Sequence, residues 1–144
     1  MPANPLATYR DNAILSASPA QLLTMFYDRL LLDLTFGREA LLTDDSAEAM
    51  NRIAHAGEII ATLAGSLRTD VWDGADGLLS LYIYVATALV RANLTRNPGL
   101  LDECIALMQP LREAFQEASA SLATRPSWQT TAEAGEESQV IAVA

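Results

Sequence analysis

The chain has 144 residues, a formal net charge of −9 and a single cysteine, Cys104. That length can bury a real core without staples, and one thiol excludes a disulfide framework and any multi-cysteine zinc site. Asp and Glu outnumber the basic residues 18 to 9, and every basic residue is an arginine, so the acidic surface argues against nucleic acid and anionic membrane as partners.

A hydrophobic fraction of 51%, rich in Leu and Ala, favours helix over sheet. No basic start followed by an apolar run is present at the N-terminus, so the expected setting is reduced and cytoplasmic. Residues 1–17 contain Pro2 and Pro5 and show no helical period, which predicts an extended N-terminal arm. Its apolar residues Leu6, Tyr9 and Ile14 either pack on the end of the fold or lie in a groove from which they can be displaced.

Ser18-Pro19-Ala20-Gln21 reads as a helix start. Ser18 can accept from a free first-turn amide, Pro19 loses nothing at the first position, and Gln21 can reach back to the Ser18 amide. A first helix from Pro19 to Leu42 then places Leu23, Phe26, Tyr27, Leu30, Leu34 and Leu41 on one face. Met25, Leu32 and Phe36 form a second, narrower stripe about 100° away. One face suits a core, and the other suits a partner.

Thr43-Asp44-Asp45 breaks the helix, and Asp45-Ser46-Ala47-Glu48 resembles a second capping box. The second helix carries Met50, Ile53, Gly57, Ile60, Ala64 and Leu67 as a seam. Gly57 and Ala64 are small enough to admit a close neighbour, while Ile59 and Leu63 widen the apolar face. After a loop at 68–76, a third helix from about Ala75 to Leu94 is apolar nearly all round. Its uncharged run, Gly77 to Val90, falls short of the ~20 residues a bilayer needs, so a buried central helix is expected rather than a membrane insertion.

Asn97-Pro98 starts a fourth helix, with Leu101, Cys104, Met108, Leu111, Phe115, Ala118 and Leu122 in one seam. The seam keeps its phase across Pro110, which predicts a bend near 106–109 rather than a stop. Residues 124–144 have the composition of a disordered acidic tail, ending in the apolar Val-Ile-Ala-Val-Ala. The expected organisation is an arm at 1–17, an all-α, antiparallel up-and-down four-helix bundle at 18–123, and the tail.

Catalytic chemistry finds little purchase. His55 and Glu58 are three apart, but a di-iron bundle needs two such pairs and the chain has one histidine. Cys104 sits on a seam, where a buried cysteine serves as a small hydrophobe. No phosphate loop or nucleophile elbow occurs, so neither a cofactor nor a metal is expected. Tyr82 and Tyr84 point to different sides of the third helix, each with a hydroxyl seeking a partner. Three helices carry more apolar surface than one seam requires, as a helix-binding protein would.

The residues resemble the flagellin-specific export chaperones of the FliS type. The likeness runs over about residues 5–120: Tyr9, Ser16-Ala17-Ser18-Pro19, Gln21-Leu22-Leu23 and Met25-Phe26-Tyr27-Asp28 at the start. It continues through Ala56, Ile59-Ile60, Leu63 and Leu67, then Tyr82, Tyr84, Leu89 and Ala92-Asn93, then Leu111-Arg112-Glu113-Ala114-Phe115. The chain departs at Arg29, where the family commonly has glycine, at Pro110, and in its tail. The resemblance implies a cytoplasmic bundle that binds the C-terminal segment of flagellin, keeps it from polymerising early and helps deliver it to the flagellar type III export gate. It also implies that the N-terminal arm can occupy part of the cargo surface as a displaceable plug.

The candidate partner-binding residues are Tyr9, Ile14, Met25, Leu32, Phe36, Ile59, Leu63, Tyr82, Tyr84 and Leu107. Two other classes compete with this reading. One is a small helical enzyme of the chorismate-mutase-like type, using Arg38, Arg52 and Arg91 with glutamates around an anion. The other is a structural bundle whose second stripes form a homodimer.

Overall fold

Ser18 starts the first helix in the way its side chain allows. In the computed structural model, which describes residues 18–68, 70 and 73–123, the Gln21 amide donates to Ser18 Oγ at 3.2 Å. The Ser18 amide donates to Gln21 Oε1 at 2.9 Å, closing the box. Helix α1 spans Pro19–Leu42, α2 Ser46–Gly65, α3 Ala75–Thr95 and α4 Pro98–Ala123. No strand occurs among the described residues.

The α1–α2 connection is tight because Asp44 adopts a left-handed backbone, φ 58°. This lets the Asp45 amide donate to the Ala40 carbonyl at 2.8 Å and the Asp44 amide to Leu41 at 3.4 Å, a Schellman closure with Asp where glycine is usual. Asp45 then caps α2 by accepting from the Glu48 amide at 3.2 Å. Only half of the expected second capping box forms, because the Glu48 carboxylate turns to Arg52 at 2.7 Å. Between α3 and α4, Arg96 supplies the left-handed residue, φ 57°. Asn97 Oδ1 accepts from the Gly99 amide at 2.9 Å.

Helix α1 packs on α2 and α4, and α3 completes the ring by packing on the same two. Pairs at opposite ends of α1 fix its antiparallel relation to α4: Asp28 with Arg112, and Arg38 with Asp102. The result is an up-and-down four-helix bundle. Helix α4 runs through Pro110 without stopping, since its buried residues Leu101, Cys104 and Met108 and the partly buried Leu111 and Phe115 stay in phase. Leu23, Tyr27, Leu30 and Leu34 are buried, as the first stripe of α1 predicts, and Phe26 and Leu41 pack against them.

Two expectations are corrected. Helix α3 is not a buried central helix: a four-membered ring has no centre position, and Ile83, Tyr84, Val90 and Leu94 are exposed while Leu78, Tyr82, Val85 and Leu89 are buried. By length and composition alone α3 could cross a membrane; one third of its apolar window is buried within the chain. The buried face of α2 is also shifted by one residue from the expected seam. Ala49 is buried and Met50 is exposed, because α2 is wedged between α1 and α3 and turns Ala56, Ile59 and Leu63 inward beside Ile53 and Ile60.

Candidate partner-binding groove

Helix α2 has two flanks of opposite character. On the α1 side, Asp33 is 0% exposed. A buried carboxylate persists only when paired and hydrogen-bonded. Arg52 Nη1 donates to its Oδ1 at 3.1 Å, Arg29 Nε lies 3.5 Å away, and His55 Nδ1 contacts Oδ2. Arg52 also donates to Glu48, and these two carboxylates, Glu48 first, raise its pKa above the ordinary arginine value. Its guanidinium carbon lies 4.7 Å from the centroid of the Phe36 ring. Beside this cluster Gly37 lets the helices close. A Cβ there would meet Arg52 Cβ and Leu101 Cδ1, each at 3.4 Å.

The core itself is organised across the diagonal. The Tyr27 and Tyr82 hydroxyls hydrogen-bond to each other, and the Tyr27 ring stacks on Phe115 with centroids 5.4 Å apart. Burial pushes both phenols above the usual tyrosine range and the Cys104 thiol up to about 11.

On the α3 side the molecule is open. A groove of about 330 Å³ runs between α2 and α3, lined by Ile53, Ala54, Gly57, Ala86, Leu89, Val90, Asn93 and Leu94. Nothing lies within 4 Å of a Cβ built on Gly57. The expectation that Gly57 admits a close neighbouring helix is therefore corrected: the close approach is at Gly37, and Gly57 leaves a gap. Val90 is 60% and Leu94 78% exposed. With Ala86 they form an i, i+4, i+8 stripe on α3 that faces the small residues of α2 across the groove. The groove lining carries no charged side chain, although the chain holds 27 charged residues in total.

The sequence-predicted partner residues divide. Leu32 and Phe36 are 41% and 43% exposed, and Met25 and Leu107 are partly buried. Tyr84 is exposed, with its hydroxyl donated to Glu103 on α4; that carboxylate raises the phenol's pKa. Tyr84 thus lies on the side of α3 away from the groove. Ile59 and Leu63 are buried, which corrects their reading as spare surface, since both flanks of α2 need a core face; Tyr82 is fully buried and its hydroxyl finds its partner in Tyr27. Tyr9 and Ile14 fall outside the described residues, as do the arm and the tail. Sequence reasoning missed Ala54, Ala86, Val90, Asn93 and Leu94. The available signal was a small-residue stripe on one helix matched by an exposed apolar stripe on the next.

The model of the flagellar protein FliS family matches residues 2–122. The chain belongs to the FliS family. It is 27% identical over 115 residues to the flagellar secretion chaperone FliS of Bacillus subtilis (strain 168), covering 80% of this chain and 86% of that protein. It is 28% identical over 112 residues to the flagellar secretion chaperone FliS of Escherichia coli (strain K12), covering 74% and 80% respectively. Asp28 accepts a 2.6 Å hydrogen bond from Arg112, and Arg29 on the same helix turns its guanidinium toward Asp33.

Proposed function

We propose that this FliS-family chain is a cytoplasmic export chaperone that binds the C-terminal helical segment of flagellin. By covering that segment it prevents premature polymerisation, and it assists delivery to the flagellar type III export gate. The observation that carries the reading is the uncharged groove between α2 and α3, with open space above Gly57 and exposed Val90 and Leu94 on its wall. An amphipathic helix laid there puts its large apolar side chains over small ones, the geometry of helix-in-groove recognition. Leu32 and Phe36 offer a further apolar contact for a guest long enough to pass over α2. The N-terminal arm, with Tyr9 and Ile14, acts as a plug that cargo displaces.

Release is built into the energetics. A guest that is disordered before binding is ordered at a cost of several kcal/mol, which holds affinity below what its buried area would suggest. No chemical step and no cofactor are required, since burial and release perform the whole task.

Calorimetry with a flagellin C-terminal peptide tests the proposal. Saturable 1:1 binding with a negative heat-capacity change supports it. Absence of heat, together with concentration-dependent self-association of the chain, would replace it with the homodimerising bundle.

A further inference from the structure

We infer that Asn93 is the specificity-determining residue of the α2–α3 groove, fixing the register of the guest helix by demanding a hydrogen-bonding residue opposite it. The inference rests on the export-chaperone reading of that groove. Every other lining residue there ends in hydrocarbon or is glycine; Asn93 alone offers a side-chain donor and acceptor. It follows Ala86 and Val90 on the same stripe of α3 and stands beside Leu94 toward one end of the groove. Its carboxamide makes no hydrogen bond with any described residue, and the residue is exposed.

Occupation changes the balance. A helix that covers the groove strips water from Asn93, whose amide carries two donors and an acceptor. A guest that presents a polar side chain at that register replaces the lost water. A guest with an unbroken apolar face, or one slid along by a turn, leaves the carboxamide buried and unsatisfied. The cost of such an orphan corresponds to a roughly 5- to 150-fold loss of affinity. One polar position in an apolar seam sets alignment at the expense of raw affinity, as a buried asparagine does in coiled coils. A chaperone that must take one helix and ignore other amphipathic segments of the cytoplasm gains from that trade.

The test uses the full chain as wild type, Asn93→Leu and Asn93→Gln, each titrated with two peptides. One is the flagellin C-terminal segment; the other is a helix of equal length and charge with an uninterrupted apolar face. Wild type is expected to prefer the flagellin peptide. Asn93→Leu tightens binding of the apolar-faced peptide by about tenfold or more and weakens the flagellin peptide, so the preference shrinks or reverses. Asn93→Gln, which keeps the amide, retains the wild-type order. Circular dichroism of each variant confirms that this exposed position leaves the fold intact. If wild type binds the flagellin peptide but Asn93→Leu moves both affinities by the same factor, or neither, the role of Asn93 is overturned and the chaperone reading stands. If wild type does not bind the flagellin peptide, both fall.

Discussion

The two flanks of α2 use the same helix in opposite ways. Toward α1 it is locked: Gly37 brings the backbones close, and Asp33 gathers Arg29, Arg52 and His55 around a carboxylate withdrawn from water. Toward α3 it is left unfilled over Gly57, with apolar side chains standing at the rim and no charge among the lining residues. The contrast explains how a bundle can keep an open apolar groove without collapsing into it. The closed flank ties α2 to α1 and the diagonal tyrosine pair ties α1 to α3, so the open flank does not have to close for the fold to hold.

Breaking the closed flank should carry the largest effect. Asp33→Ala removes the carboxylate that organises two cations, Arg29 and Arg52, together with His55, and leaves a small void; it is expected to lower unfolding free energy by about 2–3 kcal/mol in urea melts. The value sits below that of a fully buried pair because the cations can still reach solvent. A loss near zero would mean the cluster does not hold α2 in place. On the open flank, Gly57→Trp fills the groove. It should weaken a flagellin C-terminal peptide by roughly thirtyfold or more, the scale of an interface hot spot, with little change in the melt. A collapse of stability instead would show that Gly57 is part of the packed interior.

Smaller effects sharpen the same contrast. Leu32→Asp places a charge on the exposed stripe of α1 and should weaken the peptide about threefold to tenfold with helical circular dichroism unchanged; loss of helicity would put Leu32 in the core. Gly57→Ala meets no neighbouring atom, so the helix-propensity gain should appear as about 0.5–1 kcal/mol of added stability. The equivalent change at Gly37 sets a methyl in tight contact with Arg52 Cβ and Leu101 Cδ1, each at 3.4 Å, and should not gain as much.

A last prediction concerns the core that supports both flanks. Cys104 is raised from 9.0 to about 11 and the buried phenols Tyr27 and Tyr82 are raised above 10.0, so the folded state holds protons that the unfolded chain releases. Stability from these groups is complete at neutral pH. It should decline as pH climbs above about 9, first through the thiol and then through the phenols. Urea melts at pH 7, 9 and 10.5 check the sign, and a flat or rising profile would contradict it.

What could be read from the sequence was local. The Ser18–Gln21 box, the two stripes of α1 and the continuation of α4 through Pro110 depend on residues within a few turns of each other. The burial of Asp33 was illegible because Arg52 and His55, two of its three partners, lie 19 and 22 residues away on another helix, and nothing in the period of α1 marks one aspartate as buried. Gly57 was misread because a small residue looks the same in sequence whether a neighbour fills the space above it or leaves it empty. The groove was hidden by the uniform apolarity of α3, where Val90 and Leu94 could not be told from Val85 and Leu89 without knowing which side α2 and α4 take. Ile59 and Leu63 looked spare for the converse reason: a helix flanked on two sides needs a wider buried face than one seam.

The most direct test of the central claim is amide hydrogen exchange on the full chain with and without a flagellin C-terminal peptide. Helix-in-groove docking predicts new protection concentrated at residues 53–57 of α2 and 86–94 of α3, the walls of the open flank. Protection confined to the α1–α4 face around Asp28 and Arg112, with both groove walls unchanged, would contradict it.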